Sequence, residues 1–321
     1  MGMDENQPPP YPPGIYATPR PWLPPTPVGA RYDHLARNAV NSWWRPIVGT
    51  LLAGLGFALI SALVLVLGTV VALAAGVPVL GLATRPFGDP VFGLAVLLLS
   101  IAATLPMVYG VAVLVQRRRP GTLSSVAGRI RWSWLWQCVG VAMVAMLLGQ
   151  GALYLAYVVT GVDTGDLFGW AGWARFLPAL VVILLLVPFQ AAAEEYLFRG
   201  WVLQAFGAYL NSPWPGIVLG TAGFVALHGY TDWGMADVFA FGALMGWLTI
   251  RTGGLEAAIA MHVVNNVAAF GLLAAAGEID KAMEQGSVPW QSLAGTVVQL
   301  SVFAVGVFFL AKKRAVRTIS G

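Results

Sequence analysis

Glu194, Glu195 and Arg199 stand in the middle of an apolar stretch, and two of the chain's three histidines, His228 and His262, follow in apolar stretches of their own. Titratable groups are costly to keep in lipid, so in a chain with 10% charged residues such a set points to chemistry. At roughly 100° per residue, Glu195 and Arg199 share one helix face as an i, i+4 pair, whereas Glu194 points away from Arg199. Glu195 is therefore expected to be paired, and Glu194 is the candidate general base. The competing reading is a structural ion network of both glutamates and Arg199, and the triplet alone does not decide between the two. His228 closes the run Phe224-Val225-Ala226-Leu227-His228, with Phe224 one turn earlier and able to pack beneath the imidazole. A lone histidine ending an apolar helix is more often a satisfied interfacial residue than a catalytic one. His262 is harder to explain that way, because Asn266 at i+4 puts a carboxamide on the same helix face. Asn265 points elsewhere and is expected to make a helix contact.

The elements that must position these residues are membrane helices. The chain has 321 residues, 58% of them hydrophobic, and a mean hydropathy of +0.75, well outside soluble composition. Uncharged runs lie between Arg45 and Arg85, Asp89 and Arg117, Arg131 and Asp163, Arg175 and Glu194, Arg199 and Asp232, Asp237 and Arg251, Glu256 and Glu278, and Glu284 and Lys312. Most reach the ~20 residues that a helix needs to cross a bilayer. They are continuously apolar rather than alternating, which excludes a closed barrel. The expectation is an all-α, polytopic bundle of about eight spans. The run from Asp237 to Arg251 is the shortest; it requires Asp237 to face inward or lie near an interface, and without it the count is seven.

Lys and Arg concentrate before the first span, between Arg117 and Arg131, and after Lys312, while alternate loops carry Asp89, Asp163, Asp166, Glu278, Asp280 and Glu284. The positive-inside rule then puts both termini in the cytoplasm of a multi-pass protein of the cell membrane. The basic balance reflects topology and anionic lipid, so no nucleic-acid partner is implied.

Residues 1–45 read as a separate Pro-rich, unstructured cytoplasmic tail ahead of a membrane domain over 46–321, since ten of the chain's 21 prolines fall within the first 27 positions. Pro8 to Pro13 could dock an aromatic groove on a partner. The long polar lead also argues against a cleaved signal. Cys138, the one cysteine, lies in an apolar run and reads as a buried, inert thiol. Gly216 with Gly220, and Gly242 with Gly246, have the spacing of tightly packed helices. Pro188 should weaken or bend the helix ahead of the acidic pair. If the chain turns back at Asn211-Ser212-Pro213, Glu194 and His228 lie at equal depth, each 17 residues from Asn211.

Taken in order, Glu194-Glu195-x-x-x-Arg199, Phe224-x-x-x-His228 and His262-x-x-x-Asn266 resemble the CPBP family of intramembrane proteases, also called the CAAX-protease, bacteriocin-processing or Abi family. The Thr252-Gly253-Gly254-Leu255 turn is similar to the family too, and the likeness covers about residues 175–275. The resemblance implies a polar intramembrane cavity among the later helices and a catalytic set of Glu194, Glu195, Arg199, His228, His262 and Asn266. In that set Glu194 activates a water, aided by His228, His262 and Asn266 stabilise the oxyanion, and Arg199 orients Glu195. It implies an endopeptidase acting on a membrane-associated protein or peptide. A non-hydrolytic membrane chaperone, regulator or bacteriocin-immunity protein of the same fold is the alternative, and a proton-coupled transporter ranks below both. Two histidines and a carboxylate are also a zinc-capable set, without the His-Glu-x-x-His arrangement, so the sequence leaves the metal open.

Overall fold

A computed structural model of the chain describes residues 21–82, 84–163 and 169–321. Ten α-helices account for the described fold: α1 (Trp44–Ala74), α2 (Pro90–Ala102), α3 (Leu105–Leu114), α4 (Trp132–Thr160), α5 (Trp173–Glu195), α6 (Leu203–Gly207), α7 (Trp214–Ala226), α8 (Asp232–Thr252), α9 (Glu256–Ala276) and α10 (Ser292–Lys313). A π-helical segment, Tyr196–Val202, joins α5 to α6. The only described strand is two residues long, Ser287–Val288.

Seven helical segments are long and apolar enough to cross a membrane: α1, α2 with α3, α4, α5 through α6, α8, α9 and α10. Their outer faces are apolar and open, with Leu147, Val159 and Val305 each at least 70% exposed, surface that only lipid can cover. The chain is a multi-pass integral membrane protein with an all-helical fold. Eight apolar segments are present, as the charge pattern implied, but the short one is different. Asp232–Thr252 forms a full 21-residue helix, α8, that takes Asp232 and Asp237 into its first two turns. Helix α7 is instead the short one, with 13 residues and a length of about 20 Å at 1.5 Å per residue, against ~30 Å of hydrocarbon.

Beyond α7 the chain is non-helical over 227–231, and backbone polar groups there need partners. Here the loop before α10 supplies partners. Gly229 N–H donates to the Gln285 side chain, and Thr231 N–H donates to the Gly286 carbonyl at 2.9 Å.

The ends of the described chain meet. Gly29 N–H donates to Ser320 O at 2.8 Å, and Arg31 bridges Ile319. The expected tail falls partly on residues 1–20, outside the described residues. Residues 21–45, by contrast, are docked. Tyr32, Asp33 and Leu35 are buried, the Tyr32 hydroxyl donates to Leu123 O at 2.5 Å, and Arg37 donates to the Gly207 and Leu210 carbonyls. Proline content hid this, because the docking uses a few buried side chains and long-range hydrogen bonds without any periodic apolar face. On the same face, Arg131 holds the buried Glu256 through two side-chain hydrogen bonds of 2.8 and 2.6 Å, which anchors the start of α9.

Candidate active site

The spacing of Glu195 and Arg199 survives the change to π geometry: Arg199 Nη1 donates to Glu195 Oε1 at 2.9 Å, with both side chains buried. Helix α5 runs through Pro178 and Pro188 without interruption, so the departure from α geometry comes after the glutamates rather than before them. π turns inside helices are frequent at functional sites. Around Arg199 the protein leaves room. A Cβ on Gly242 would lie 2.8 Å from Arg199 Nη2 and 2.8 Å from Thr221 Cγ2. The guanidinium also lies over the Phe224 ring, 4.2 Å from its centroid, a favourable contact for a cation out of water.

Helix α9 brings His262 against both glutamates. His262 Nδ1 is 2.7 Å from Glu195 Oε1, and its Nε2 is 3.3 Å from Glu194 Oε2. A carboxylate accepts only, so Nδ1 carries the proton in the shorter contact. Glu195 thus fixes the orientation of the imidazole while Arg199 fixes Glu195. Phe224 and Phe241 stand edge-on to the His262 ring, at 5.8 and 5.4 Å between centroids, and close the sides of this buried stack.

Glu194 is the carboxylate turned to the open side. It is 7% exposed and lines a cavity of about 480 Å³, and its Oε2 has no hydrogen-bond partner among the described residues. His228, His262 and Asn266 line the same cavity; Glu195 and Arg199 stand behind it. His228 Nδ1 lies 2.8 Å from the Phe224 carbonyl, which makes Nδ1 the donor and leaves Nε2 without a hydrogen-bond partner among the described residues. Asn266 donates one amide N–H to Gln190 Oε1 at 3.1 Å and keeps the other. Asn265 makes the expected helix contact, accepting from Gln299 of α10 at 3.3 Å, yet it also lines the cavity.

Sequence reasoning missed Gln190, Tyr230 and Asp237 as cavity residues. Asp237 does face inward, with an Oδ1 lacking a partner among the described residues and free to take a donor. Burial and the nearby Asp237 carboxylate push the Tyr230 phenol above its ordinary range, so it remains a donor at neutral pH. Among the described residues, no group of three or more His, Cys, Asp or Glu is placed to hold a metal ion.

Residues 173–268, from the start of α5 to the middle of α9, match the family described as type II CAAX prenyl endopeptidase Rce1-like. That segment is similar to the Rce1-like family. The resemblance read from the three motifs therefore holds over the stretch that carries all six candidate residues. Uncharacterized protein YyaK of Bacillus subtilis (strain 168) is 30% identical over 139 residues, 41% of this chain and 46% of that one. The match thus spans less than half of that relative's length. No solved structure matches the chain. Within the Rce1-like segment, Gly216, Gly220, Gly242 and Gly246 sit at close helix contacts: a Cβ on Gly220 would come 3.3 Å from Phe198 O, and one on Gly246 would come 3.3 Å from Ile217.

Proposed function

We propose that this chain is an intramembrane endopeptidase that hydrolyses a peptide bond of a membrane-associated protein or peptide, with Glu194 activating the water. The observation that carries this reading is that Glu194 lines a cavity shared with His228 and Asn266 while its Oε2 lies 3.3 Å from an imidazole whose other nitrogen is fixed by a second, cation-paired carboxylate. An acid-base pair and donors for developing negative charge are what amide hydrolysis requires.

In this mechanism a water in the cavity gives a proton to Glu194, assisted by the free His228 Nε2, and its oxygen bonds to the peptide carbonyl carbon. The carbonyl oxygen takes the charge, met by the remaining Asn266 N–H and by the Nε2–H that His262 presents in its doubly protonated form. The C–N bond then breaks, and the proton held by Glu194 passes to the leaving amine. Arg199 and Glu195 hold His262 in place throughout. Every step uses this chain's own residues, and none is routed through a metal.

The test is to offer the purified full-length protein, in detergent, a library of membrane peptides. Wild type should cut a subset, and Glu194→Gln should cut none while keeping the wild-type melting temperature. Intact binding of the same peptides by both forms, with no cleavage by either, would point to the chaperone or regulator role instead. Activity that persists after chelation, without stoichiometric zinc, is the expected outcome for a glutamate-driven site.

A further inference from the structure

On the face where the chain ends meet, a groove of about 640 Å³ runs between the C-terminal ends of α8 and α10, bounded by Trp214 at the start of α7 and by Arg31 and Ile319. Its floor is apolar, built from Trp247, Ile250, Phe308 and Val316, and its rim is cationic, with Arg31, Arg251 and Lys312. Among the described residues, no Asp or Glu lines it. The three cations differ in availability. Arg31 is already held by Asp33 at 2.6 Å and by the Asn211 carbonyl at 2.8 Å. Arg251 and Lys312 are exposed and have no ion pair or hydrogen bond among the described residues. The Arg251 guanidinium instead stands 5.9 Å from the Trp247 centroid and 5.8 Å from that of Phe308, directly above the apolar floor.

We infer that this groove binds an anionic phospholipid, the headgroup phosphate between Arg251 and Lys312 and an acyl chain along Trp247 and Phe308. A small soluble anion would satisfy the cations but leave the apolar floor wet, and a zwitterionic lipid would cover the floor but bring no net charge to the rim. Only a ligand with both properties matches both surfaces. The position fits as well: Trp214, 56% exposed, and Trp247 lie near helix ends, where aromatic rings meet the headgroup layer, and basic pockets between helices are where acidic headgroups are recognised. A lipid seated here would join the ends of α8 and α10. Helix α8 also supplies Phe241, Gly242 and Asp237 to the candidate active site, so the site and the lipid share a supporting element.

The experiment counts lipids retained by the detergent-purified full-length protein in native mass spectrometry. Phosphatidylglycerol and phosphatidylcholine of identical acyl chains are offered in equal amounts. Wild type should retain one phosphatidylglycerol in preference. Arg251→Gln with Lys312→Gln should lower that preference by about thirtyfold, and each single change by about fivefold. Lys313→Gln, whose side chain lies outside the groove, should leave it unchanged. Phosphatidylglycerol, and not millimolar inorganic phosphate, should raise the melting temperature. Equal retention of the two lipids, an equal loss in Lys313→Gln, or the same thermal shift from phosphate alone would overturn the inference. None of these readouts depends on proteolysis.

Discussion

Glu194 and Glu195 are neighbours in sequence with opposite surroundings, and the two should respond differently to the same chemical change. Glu194→Gln removes the proposed base but leaves an isosteric amide against His262 and no unpaired buried cation, so turnover should fall by about 10²–10⁴-fold with the melting temperature unchanged. Glu195→Gln leaves Arg199 as a buried cation without its counter-charge, for which the expected cost is about 3–5 kcal/mol, read as a lower melting temperature together with lost activity. The distinction between the glutamates was legible from helical spacing alone, because i, i+4 geometry is local. Gln190 was not legible. A single glutamine in an apolar run carries no periodic signal, and its bond to Asn266 exists only because α5 packs on α9. Asp237 was readable only as a residue that had to face inward or lie near an interface, with no indication of what it would face.

Among the elements, the π segment and the short α7 give the site its geometry, and neither could be read from residue types. Nothing in Tyr196 to Val202 marks a widened turn, and Pro188, which does mark a weak point, is absorbed by an unbroken α5. The length of α7 depends on a loop closing over its end, which is a tertiary event. The small-residue spacing was legible, and its strongest consequence is at one position. Gly242→Val should push the Arg199 guanidinium aside and cost about 1–3 kcal/mol, with activity falling further than stability explains, as a comparison of single-turnover rates and melting temperatures would show. Gly246→Ala, which meets only the Ile217 side chain at 3.3 Å, should be far milder.

For the molecule as a whole, the two faces of the bundle differ in charge. Arg37, Arg117, Arg131 and Lys312 gather with the paired chain ends, while Asp89, Glu278 and Asp280 lie in loops at the other ends of the helices. Topology follows from summed charge and apolar length, which is why the number of apolar segments and the shared face of the termini were readable before any coordinates. The docking of residues 21–45 was not, since it rests on contacts far apart in sequence, such as Tyr32 with Leu123 and Arg37 with Gly207. Taking the basic face as cytoplasmic, a cysteine placed at Ser212 in a Cys138→Ala background should react with an impermeant maleimide only from inside, and one at Gln285, beside the cavity, only from outside. The opposite pattern would invert the orientation. The hydrogen-bonded ends carry a further consequence. With Gly29 bonded to Ser320, the fold behaves nearly as a closed loop, so a circular permutant that fuses these two positions and opens the chain between α9 and α10 should still assemble the same bundle. Mechanical pulling from the two ends would have to unfasten that junction before it could extract any helix.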